Sequence, residues 1–170
     1  MLKILGAGFV LAGAAAMAAS SVRRLRERTE VLSRLIEAFG LLEEELSFRL
    51  TPLPALLERL AGQTGGAAGE FFAACLAGIR ADPQAGLRTS WQRAAKEHLG
   101  VLRDDARETV AALGNTLGRY DGEEQRQTLR QTVVRLERLR QQAEEEHMRL
   151  GKVYATVSLA AGATAVIVLI

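Results

Sequence analysis

Residues 23–54 read RRLRERTEVLSRLIEAFGLLEEELSFRLTPLP, and their spacing decides the fold class. Leu25, Leu32, Phe39, Leu46 and Leu53 recur every seven residues, and Leu35 and Leu42 fill the positions three residues on. An apolar stripe of this period predicts one long helix from about Arg23 to Leu50. Thr51-Pro52-Leu53-Pro54 then breaks it, because proline has no N–H and disfavours helix in the residue before it. Thr51 is placed to cap the next helix, with Pro52 at its first position.

Downstream the helical spacing persists. The second helix is expected to end near Ala61, since Gly62-Gln63-Thr64-Gly65-Gly66 has loop chemistry. A third runs from about Ala67 to Ala81 and carries Phe71, Phe72, Cys75, Leu76 and Ile79; Asp82-Pro83 ends it. A fourth carries Leu87, Trp91, Ala94, Ala95 and Leu99, and a fifth covers roughly Val101 to Leu117. After the turn Gly118 to Gly122, Asp121 and Glu124 have capping-box spacing. A sixth helix then carries Leu129, Val133, Leu136, Leu139, Ala143 and Leu150, and is expected to continue through Gly151 towards Ile170.

The composition is ordinary: 170 residues, net charge +2, 48% hydrophobic. The charge distribution is not. Every charged side chain except Lys3 lies between Arg23 and Lys152. Ile4 to Val22 and Val153 to Ile170 are uncharged, and as helices they would measure roughly 28 Å and 27 Å, about one hydrocarbon core each. Ala16-Met17-Ala18 would also suit a signal-peptide cleavage site, but Arg23, Arg24, Arg26 and Arg28 follow at once and favour a retained anchor. The expected fold is therefore all-α, an antiparallel helical bundle of about six helices, with transmembrane helices at 1–22 and 153–170 and a helical domain at 23–152. The positive flanks place that domain in the cytoplasm. Rows of small residues, Gly8-Ala12-Ala16 and Ser158-Gly162, would let such helices approach closely.

The residues offer little chemistry. One cysteine and two histidines cannot build a four-ligand zinc site. Gly62, Gly65, Gly66 and Gly69 lack the following lysine and the preceding strand of a phosphate loop. Cys75, in Ala73-Ala74-Cys75-Leu76-Ala77, reads as a buried inert thiol, and Trp91 as a core residue. Glu43-Glu44-Glu45 and Glu144-Glu145-Glu146 read as solvated faces, and Arg26 with Glu30 as an i, i+4 pair. No catalytic residue, cofactor, metal or nucleic-acid partner is expected.

Together, several segments resemble the stage III sporulation protein AB family. They are Met1-Leu2-Lys3-Ile4-Leu5-Gly6, Leu42-Glu43-Glu44-Glu45-Leu46, Thr51-Pro52-Leu53, Trp91, Leu113-Gly114-Asn115-Thr116-Leu117-Gly118 with Asp121 and Gln125, and Leu150-Gly151-Lys152. That family is similar to the cytoplasmic F domain of type II secretion and pilus inner-membrane platform proteins; Ala55-Leu56-Leu57-Glu58-Arg59-Leu60-Ala61 has the shared helix pattern. The resemblance implies a non-enzymatic membrane platform in a secretion-like channel between mother cell and forespore, in the mother-cell-derived membrane, working with a cytoplasmic ATPase and other membrane components.

On this reading Arg23, Arg24, Arg26, Arg28 and Lys152 meet lipid headgroups. The partner ATPase docks at the far tip, where two helices of roughly 40 Å and 45 Å would bring their turns together: Arg49, Thr51, Pro52 and Leu53 at one turn, Arg119 and Asp121 at the other. The alternative is a membrane-anchored coiled-coil scaffold or signalling protein that dimerises through the Leu25 to Leu53 stripe; a homo-oligomer is compatible with either.

Overall fold

A computed structural model describes the backbone of residues 2–48, 51–117 and 122–169 and the side chains of residues 20, 22–45, 51–117 and 123–149. The fold is all-α. The six helices are α1 (Leu2–Phe48), α2 (Leu53–Thr64), α3 (Gly66–Ala81), α4 (Gly86–His98), α5 (Asp104–Leu113) and α6 (Gly122–Leu169). The chain forms two compact units. One comprises Met1–Glu27 and Gln142–Ile170, the other Arg28–Gln141.

The expected transmembrane helices at 1–22 and 153–170 need correction. Among the described residues no helix is long and apolar enough to cross a membrane. The described side chains of α1 and α6 carry a charge in nearly every turn, from Arg23 to Glu45 and from Glu123 to Arg149, and each would have to be desolvated in a bilayer. The side chains of 2–19 and 150–169, on which the expectation rested, lie outside the described residues. Among the described residues the fold class is an all-α arrangement of six helices.

In the unit Arg28–Gln141, α3 packs on both α2 and α4, and α4 packs on α5. The α1 stripe faces inward: Leu32, Leu35, Phe39 and Leu42 are fully buried. The aromatic residues converge on Trp91 of α4. Phe71 meets its indole edge-on at 4.8 Å between centroids, Phe39 stacks near-parallel at 6.2 Å, and Phe72 lies 6.2 Å away. These geometries add to the area each ring buries. The indole N–H, which could not be left unpaired inside, donates to the Val110 carbonyl of α5 at 2.7 Å.

The loops follow local chemistry. The Pro52 carbonyl accepts from the N–H groups of Ala55 at 3.0 Å and Leu56 at 3.2 Å, so the proline itself, not Thr51, starts α2. The second helix outlasts its expected end at Ala61, because Gly62 stays helical; only Gly65 and Gly66 break it, with φ of 65° and 57°. That left-handed backbone favours glycine. Arg34 reaches over this turn from α1, its Nη1 donating to the Thr64 carbonyl at 3.4 Å. Asp82 ends α3, and its carboxylate accepts from the Gln84 and Ala85 N–H groups at 3.0 and 3.1 Å, turning the chain into α4. The fifth helix is shorter than the expected Val101–Leu117: hydrogen-bonded turns flank it, and Asp104 and Asp105 occupy its first turn, where carboxylates suit the helix dipole.

Gly114, just past α5, lies against the indole. A Cβ there would sit 2.6 Å from Trp91 Cδ1 and 2.9 Å from Trp91 Cβ, too close without moving the core residue itself. Gly40 on α1 has no atom within 4 Å of the same position. Gly114→Ala should therefore destabilise the protein by about 1–3 kcal/mol through overpacking, whereas Gly40→Ala should stabilise it by up to about 1 kcal/mol through helix propensity. Urea unfolding followed by fluorescence of the single tryptophan reads both; equal effects would contradict the close packing at Trp91.

Candidate docking site

Thr51, Pro52 and Leu53 sit at the junction of α1 and α2, and a carboxylate organises them. Glu45, on the last described turn of side chains in α1, is buried, with only 8% of its side chain exposed. Its Oε2 accepts from Thr51 Oγ1 at 3.0 Å, and its Oε1 accepts from Arg59 Nη1 of α2 at 2.7 Å. The hydroxyl expected to cap α2 thus reaches back to α1. Pro52 remains exposed, and Leu53 is half-buried against the core. Arg59 is about half exposed, so the junction presents a guanidinium and a proline to solvent over a buried carboxylate.

This arrangement corrects the reading of Glu43-Glu44-Glu45 as a solvated face. Only Glu44 is exposed; Glu43 is half-buried and accepts from Arg130 Nε of α6. A signal for Glu45 exists in the sequence. Val31, Ala38 and Glu45 are seven residues apart, and the first two are buried, so the third continues a buried row. Glu30, expected to pair with Arg26, pairs instead with Arg34 at 2.5 Å.

The other expected site residues fall partly outside the described region. Arg49, Arg119 and Asp121 lie outside the described residues, as does the side chain of Lys152. Arg23, Arg24 and Arg26 are exposed on α1. Arg28, only 5% exposed, is buried; it is the first residue of the Arg28–Gln141 unit.

Nothing in the described region assembles a reaction centre. Among the described residues no group of three or more His, Cys, Asp or Glu could hold a metal ion. His98 Nδ1 lies 3.5 Å from Glu70 Oε2 at the partly exposed end of α4, an isolated pair. Cys75 is fully buried, and that burial pushes its thiol from 9.0 up to about 12. The thiolate, the reactive form, is therefore suppressed.

Among the described residues, then, the helices present a polar α1–α2 junction and assemble no group of metal-ligating side chains. The profile of the stage III sporulation protein AB family matches residues 3–170, and the chain belongs to that family. A solved structure titled stage III sporulation protein AB superposes with a TM-score of 0.66 at 23% identity, covering 72% of this chain and 97% of its own; at that identity the likeness is one of fold. No curated protein sequence matches.

Two outcomes follow from the geometry. Glu45→Ala should cost about 1–3 kcal/mol, because it removes charge-assisted hydrogen bonds to Thr51 and Arg59, while Arg80→Ala, which breaks an exposed pair with Glu58, should cost less than about 1 kcal/mol; chemical denaturation compares them. Cys75 should resist thiol reagents in the native state and react fully on unfolding. Because its folded-state value is raised, the unfolded chain loses the thiol proton first, so stability falls as pH rises from 9.0 towards about 12. Cys75→Ser should flatten that part of the pH profile.

Proposed function

We propose that this chain is a non-enzymatic platform component of a secretion-like sporulation channel between mother cell and forespore, held at the mother-cell-derived membrane, and that its Arg28–Gln141 helical unit docks a cytoplasmic secretion-type ATPase. The observation that carries the reading is the family match over residues 3–170. It is supported by a rigid helical core with its apolar stripe turned inward and by a polar α1–α2 junction open to a partner. The ATPase and the other membrane components enter through the family's resemblance to secretion platforms.

Membrane association is proposed through the three exposed arginines Arg23, Arg24 and Arg26, which are spaced along the first turns of α1 with described side chains. Each basic residue near an anionic surface contributes about 1 kcal/mol. The docking surface is proposed at the α1–α2 junction, Arg49, Thr51, Pro52 and Leu53, together with Arg119 and Asp121. The coiled-coil scaffold loses its main support: Leu32, Phe39 and their neighbours in the stripe are buried in the chain's own core and offer no seam to a second helix.

Charge reversal at Arg49, Arg119 or Asp121 should weaken binding of the ATPase, measured by co-purification, while changing stability by only about 0.5 kcal/mol. If those variants bind normally and reversal at Arg138 abolishes binding, the ATPase docks laterally. Replacing Arg23, Arg24 and Arg26 together by glutamine should reduce binding to anionic vesicles and its salt sensitivity; unchanged flotation with vesicles would remove these residues from the membrane contact.

A further inference from the structure

We draw no further inference here: the strongest candidate, the open groove between α3 and α4 lined by Ala74, Ala77, Gly78, Ser90, Arg93 and Glu97, is a face of small residues with a rim of mixed charge, and nothing in the structure shows what covers it.

Discussion

Burying an indole inside a small helical unit imposes two demands that must be met together: its faces and edges need apolar partners, and its N–H needs an acceptor. At Trp91 these demands tie four helices to one another. Phe39 brings in α1, Phe71 and Phe72 bring in α3, and the Val110 carbonyl fixes α5 at 2.7 Å. Gly114 is small because the indole occupies the space where a Cβ would be. Losing a buried side chain of this size typically costs 3–5 kcal/mol, about the scale of a domain's whole margin of stability. The position and direction of α1, and with it every surface charge that α1 carries, depend on this contact.

From that core outward the polar groups sort into those used internally and those left over. Glu45 is spent on holding Thr51 and Arg59, Glu43 on Arg130, and Glu30 on Arg34. A buried, hydrogen-bonded carboxylate at a helix junction fixes the angle at which α2 leaves α1, because both its oxygens are engaged by groups from the following segment. Other charges among the described residues, Glu37 and Glu44 on α1 and Arg135, Glu137 and Arg138 on α6 among them, are exposed on the outside.

Much of the core was legible because burial and period coincide. Leu32, Leu35, Phe39 and Leu42 were readable from their spacing, and Trp91 from its place on an apolar helix face. The glycine after Leu113 was visible as a motif, but its reason, the indole edge, comes from a residue 23 positions earlier and no local pattern reveals it. Glu45 was misread because charge was given more weight than register, although Val31 and Ala38 mark its row. Thr51 was assigned a capping role from its position before proline; the hydroxyl found a stronger acceptor in a carboxylate six residues upstream. The transmembrane expectation rested on an absence of charge at the two ends, whereas the described parts of α1 and α6 are too densely charged to enter a bilayer.

The central claim is that this family member acts by binding and not by turnover. Titrating the purified full chain with the secretion-type ATPase, while reading complex formation and nucleotide hydrolysis in the same samples, tests it most directly. The expected result is a saturable complex, with hydrolysis only where the ATPase is present. Hydrolysis by the chain alone, or no complex at any concentration reached, would contradict it.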